Sequence, residues 1–151
     1  MRLAALLALT VASSLAAQNG FDSMQSRGKT TMGVDQYTST HVFDDLPNGG
    51  RIELQRDSSD SAGTAKIRAH FATIAKAFKA GDFSSPEFVH AQSVSGTAVM
   101  AAKKGEITYT VKDLPHGAEL LITTSDPAAV TAIHEFLMFQ RHEHHAAGMT
   151  H

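Results

Sequence analysis

Cysteine is absent from the 151 residues, and that absence removes several chemistries at once. No disulfide can brace the chain, no thiolate can act as nucleophile or ligand, and no Cys-x-x-Cys-His can attach a haem covalently. Excess charge of either sign is missing too. Thirteen Lys and Arg against 15 Asp and Glu leave a formal −2, which gives no electrostatic case for nucleic acid or an anionic membrane surface. No apolar run reaches the roughly 20 residues that span a bilayer. There is no Gly-x-Ser-x-Gly, no phosphate-binding loop and no dinucleotide fingerprint. His142-Glu143-His144 lacks the spacing of a His-Glu-x-x-His zinc helix. The carboxylates are mostly explained as turn residues or helix caps, so the sequence leans away from an enzyme; a metal-activated water is the reagent an enzyme here would need.

The N-terminus carries one positive charge at Arg2, an apolar run from Leu3 to Ala12, and small residues from Ser13 to Ala17. These are the three parts of a secretory signal peptide, with cleavage after Ala16 or Ala17. Residues 1–17 are therefore expected to direct export, to the periplasm or beyond, and no membrane insertion is expected once they are removed. The run has no Cys after it, so lipid attachment is excluded.

Residues 18–37 are polar and aperiodic and read as a flexible leader. A single α+β domain is expected over 38–146, with a disordered tail at 147–151. Thr38–Phe43 and Arg51–Arg56 alternate as strands around the turn cluster Asp44-Asp-Leu-Pro-Asn-Gly-Gly50, which predicts a hairpin. Ile67, Phe71, Ile74 and Phe78 then recur at helical spacing up to Gly81. Asp82–Lys104 is irregular, with a short strand around Ala98–Ala101. From Gly105 the pattern returns: alternation to Val111, the turn Asp113-Leu-Pro-His-Gly117, a second strand to Thr123, and a helix opened by Pro127 in its first turn. Asp45-Leu-Pro-Asn-Gly49 and Asp113-Leu-Pro-His-Gly117 hold the same place in two strand–turn–strand–helix units. The expected fold is thus two ββα units forming one antiparallel sheet, with both helices on one face.

Nine histidines, all beyond residue 40, are the compositional peculiarity. On the last helix His134, Met138, His142 and His145 fall within an arc of roughly 80° at 3.6 residues per turn, so neighbours four apart can converge on one ion. His90 and Met100 flank the irregular middle, His70 lies on the first helix and His41 on the first strand. Imidazole suits copper, zinc and haem iron, and thioether sulfur suits Cu(I). The candidate ligands are His134, Met138 and His142, with His90 and Met100 converging from the middle and His70 and His41 next in order. Were the two helices side by side, His70 could approach His134.

Several of these residues form an ordered set: Thr40-His-Val-Phe43, Ile67-Arg-Ala-His70, Gly81-Asp-Phe83 with Pro86 and His90, and Ile133-His-Glu-Phe-Leu-Met-Phe-Gln140 with His142. Over Met32 to His145 the chain resembles a group of small secreted bacterial proteins of unsettled function. The resemblance implies a second His where Val42 stands, a Met near Met100 after a stretch that reads Val94-Ser-Gly96 here, and a final His matched by His144 or His145 in place of His142. Some members of that group are labelled aspartate carbamoyltransferase. This chain has neither a Ser-Thr-Arg-Thr type loop nor the two-domain length of that enzyme, so the resemblance implies a single secreted His-bearing domain.

The expected function is exported transition-metal binding, copper first, with zinc or haem as alternatives. The competing class is a non-enzymatic interaction domain whose groove takes a small organic ligand, haem or a partner protein, with its histidines acting as pH-sensitive polar groups.

Overall fold

Residues 20–144 are described by a computed structural model; the expected signal peptide, His145 and the C-terminal tail lie outside them. Residues 20–32 are helical (α1), followed by a 3₁₀ turn at Gln36–Thr38. Then come β1 (Ser39–Leu46), β2 (Gly49–Arg56), α2 (Ser61–Ala80), α3 (Ser84–His90), α4 (Thr97–Ala102), β3 (Ile107–Leu114), β4 (Gly117–Thr124) and α5 (Pro127–His144). None of these helices is long and apolar enough to cross a membrane.

The strands form a four-stranded antiparallel sheet in the order β1-β2-β4-β3. The α+β class with two hairpins and two long helices is the one the sequence pattern predicts. Alternation decides the faces, since successive side chains point to opposite sides of a strand. Phe43, Ile52, Leu54, Leu120 and Ile122 are buried on the inner face, and the register carries that face across the sheet, Phe43 opposite Ile52 and Ile52 opposite Leu120. α2 covers it with Ile67, Phe71, Ile74 and Phe78, and α5 with Ile133, Phe136 and Leu137. Fully burying each such side chain contributes roughly 1.5–3 kcal/mol.

Both helices are capped by an aspartate. Asp60 accepts from the Gly63 N–H at 2.9 Å, and Asp126 from the Ala129 N–H at 2.8 Å. Each cap satisfies one of the donors left over in a first turn. Gly81 ends α2 with φ +82°, a left-handed cap that Gly adopts without steric cost.

The two units correspond residue by residue. Ser39 matches Ile107 and Gly49 matches Gly117, a spacing of 68 through both hairpins, while the caps Asp60 and Asp126 set a spacing of 66 through the helices. Exchanging the halves maps the central pairing onto itself, with Gly49 opposite Thr123 and Gly117 opposite Gln55. The bonds that close this pair obey the same exchange: Arg56 N–H to His116 O at 3.0 Å, and Thr124 N–H to Asn48 O at 2.9 Å. The approximate two-fold passes through the Ile52–Leu120 pair. Each helix packs mainly on the hairpin of the other unit, α2 on β3 and β4, α5 on β1 and β2.

Two expectations need correcting. The stretch read as a flexible leader is helical over 20–32, and Met24, Met32 and Val34 are buried. Its polar residues hide an apolar stripe of Phe21, Met24, Gly28 and Met32 at helical spacing. The supposed strand at Ala98–Ala101 is part of α4, and the preceding segment forms α3. Gly96, with φ +79°, lies against α5 so closely that a Cβ there would stand 2.0 Å from Ala132 O.

Candidate functional site

The inner face does not fill completely. Where β1, the middle of α2, the end of α3 and the last turn of α5 meet, a cavity of about 70 Å³ remains. Each of these elements supplies one histidine to its wall: His41, His70, His90 and His144. Met32 from the end of α1 and Gln140 from α5 line it too, and the rest of the wall is chiefly apolar, including Phe43, Phe71 and Phe136. At about 10–15 Å³ per water, the space has room for a handful of waters or a hydrated ion.

Three of the imidazoles form a connected group. The His41 and His144 ring centroids are 5.1 Å apart, and those of His90 and His144 are 5.0 Å apart. Phe43 stacks on both His41 and His144, at 5.3 and 5.8 Å. His144 Nδ1 lies 2.9 Å from the Gln36 carbonyl oxygen, and His90 Nε2 lies 3.0 Å from that of Gln140. Facing a side-chain carbonyl oxygen, each of these nitrogens is the N–H donor of its ring.

Burial keeps His41, His70 and His90 neutral. Removal from water, with the neighbouring His70 adding to it, holds His41 down to about 4, and removal from water alone does the same to His70. His90 is also lowered by burial, an effect opposed by Gln140 and Glu143. Desolvation penalises the charged imidazolium, so at neutral pH these rings keep the lone pairs that metal binding requires.

The two-fold supplies a comparison within the molecule. His41 corresponds to Tyr109, His144 to Phe78 and His70 to Phe136. Those three rings pack together as solid core, Phe78 against Tyr109 at 5.9 Å and against Phe136 at 6.0 Å. Phe78 and Phe136 also line the cavity, so its wall joins these aromatic rings to the imidazoles that stand at the equivalent positions.

Comparison with family models, curated proteins and solved structures gives no match. The site therefore rests on this chain's own geometry.

Of the seven ligands expected from sequence, His41, His70 and His90 come together here. Met100 is fully buried in the core and does not line the cavity. His134 stands elsewhere, with Nε2 2.9 Å from both Leu46 O and Gly49 O. That nitrogen donates to the two carbonyls and has no lone pair to offer, and His134 does not line the cavity that His70 does. Met138 is 60% exposed and the His142 side chain 75% exposed. The helical stripe thus exists as geometry, but its outer members face solvent. His144 and Met32 were missing from the seven. Among the described residues no three His, Asp or Glu side chains are placed, as they stand, to hold a metal ion. An ion would have to draw the rings of the cavity wall together.

Proposed function

We propose that this chain binds a transition-metal ion, copper foremost, in the cavity through His41, His70 and His144, with the Met32 thioether as a soft fourth donor. The supporting observation is that imidazoles stand where the symmetry-related positions are filled with aromatic core. Two imidazoles sharing a tetrahedral ion at bonds of about 2.0 Å have ring centroids about 5 Å apart, and His41 and His144 are 5.1 Å apart. Neutral imidazole with thioether in an apolar wall is the donor set that suits Cu(I). The Gln36 carbonyl at His144 Nδ1 supplies the outer hydrogen bond that fixes a ligand's tautomer. A cavity of about 70 Å³ suits an ion with one or two waters better than a porphyrin. The expected signal peptide supports a site that meets its ion outside the cytoplasm.

The test is titration of the tag-free mature chain with Cu(II) and Zn(II), and with Cu(I) in competition with a chromophoric chelator. His41→Ala and His144→Ala are each expected to weaken binding at least 100-fold, while His134→Ala leaves it unchanged. Full affinity in both cavity variants would refute the site.

The apolar wall favours a second reading, a small uncharged organic ligand hydrogen-bonded by the imidazoles. It predicts a protein indifferent to all three ions whose His41 and His144 ring signals move with an organic ligand instead.

A further inference from the structure

His90 stands between two spaces. It lines the inner cavity, and it also lines a hollow of about 500 Å³ bounded by α1, the end of α3 and the end of α5, where Met24, His142 and Glu143 are found. Its side chain is only 1% exposed, so both its ring nitrogens need partners. Nε2 has one in Gln140. Among the described residues Nδ1 has none, and it lies 3.9 Å from Glu143 Oε2. Two acceptors, an imidazole lone pair and a carboxylate, thus face each other beyond hydrogen-bond distance. Such a pairing costs free energy unless a positive group stands between them.

We infer that a metal ion occupies this gap, held by His90 Nδ1 and the Glu143 carboxylate with His142 beside them, as an outer capture site for the inner cavity. This rests on the metal-binding reading above. Tetrahedral bonds of about 2.0–2.2 Å set nitrogen and oxygen about 3.3–3.5 Å apart, so this pair, 3.9 Å apart, would close by about half an ångström around the ion. His142 Nδ1 lies 3.3 Å from the other carboxylate oxygen, Oε1. Arg27 is a competing positive charge on this hollow, and its Nε is held by Val89 O at 2.7 Å. Only the Glu143 carboxylate, 30% exposed, opens this pair to the hollow, so the ion is held through one accessible donor, binds weakly and exchanges readily. The inner imidazoles and thioether are softer and more enclosed, so they hold the ion longer. The His90 and His144 rings, 5.0 Å apart, make the two sites adjacent.

Equilibrium dialysis and stopped-flow loading of the mature chain with Cu(II) and Zn(II) test this. The wild type is expected to take two equivalents, one tight and one weak. Glu143→Gln, at a partly exposed position where folding is not at risk, should lose the weak equivalent. It should keep tight affinity within about two-fold and load at least ten-fold more slowly. His41→Ala with His144→Ala should lose the tight equivalent and keep the weak one. Two equivalents loading at the wild-type rate in Glu143→Gln would overturn the outer site, and so would a wild type holding the tight equivalent alone. A wild type that binds neither ion would overturn the metal reading itself, and the outer site with it.

Discussion

Arg68 and His134 occupy equivalent positions in the two halves and hold equivalent carbonyls. Arg68 donates to Leu114 O at 2.6 Å and Gly117 O at 3.1 Å, and His134 Nε2 lies 2.9 Å from Leu46 O and from Gly49 O. Each side chain, standing on the helix of its own unit, ties down a hairpin turn, Arg68 that of β3–β4 and His134 that of β1–β2.

His134 is therefore a structural residue. Replacing it with Ala leaves two turn carbonyls short of a donor, and losing such a bond costs roughly 1–3 kcal/mol. Arg68→Ala should cost a similar amount. Denaturant unfolding would show both losses, and a metal titration of His134→Ala should match the wild type.

The two-fold also suggests how to erase the site without breaking the fold. His41→Tyr with His144→Phe copies Tyr109 and Phe78 into the equivalent places. Filling a cavity commonly adds about 0.5–2 kcal/mol, so this double variant should melt no lower than the wild type. It should bind no metal in the cavity. A drop of several degrees in its melting temperature would mean that the equivalent positions are not interchangeable as packing.

Acid should weaken the fold in a defined window. His41 and His70 are held down to about 4 when folded, against about 6.5 in the unfolded chain. Their pKa values are depressed, so the unfolded state takes up protons first. The stability tied to their neutral forms is complete above about pH 6.5, falls as pH drops toward 4, and is gone below it. The loss is on the order of 2 kcal/mol per ring, allowing for partial exposure. Metal-free unfolding measured between pH 7 and 4 should show this decline, and the Tyr/Phe double variant, which removes His41 and keeps His70, should lose about half of the dependence.

The hairpin glycines should be intolerant. A Cβ at Gly49 would stand 1.9 Å from Ile122 O, and one at Gly117 would stand 1.9 Å from Leu54 O. Gly49 also has φ +145°, which L side chains rarely adopt. Both contacts are with backbone in the centre of the sheet, where no side chain can turn aside. Gly49→Ala and Gly117→Ala should each destabilise by roughly 3 kcal/mol or more, read as a large fall in the unfolding midpoint or as failure to accumulate folded protein.

The hairpins and long helices were legible because their signals are local: alternation, turn clusters at Asp45–Gly49 and Asp113–Gly117, and apolar spacing before Gly81. α1 was obscured because its buried stripe includes Gly28 and runs between Ser, Gln and Lys. The site was legible only in part. Helical spacing groups His134, Met138 and His142 correctly, but it cannot say whether that face meets protein, a turn or solvent. Tertiary packing decides that, and it brings His41 and His144 together across 103 residues of chain. The internal duplication contained the missing clue. Set at 66 residues' spacing, His144 falls on Phe78, a core position, whereas His142 falls on Lys76.

The crossing of each helix onto the other unit's hairpin has a consequence for assembly. Neither half of the chain contains a complete layer, because a hairpin released alone would lack the helix that covers it. Folding must therefore wait for long-range closure, which is slow relative to local pairing. The pocket depends on the widest of these closures, between β1 and the last turn of α5. A chain lacking only that turn should keep its sheet and lose its pocket, so binding competence reports whether the two ends of the domain have met.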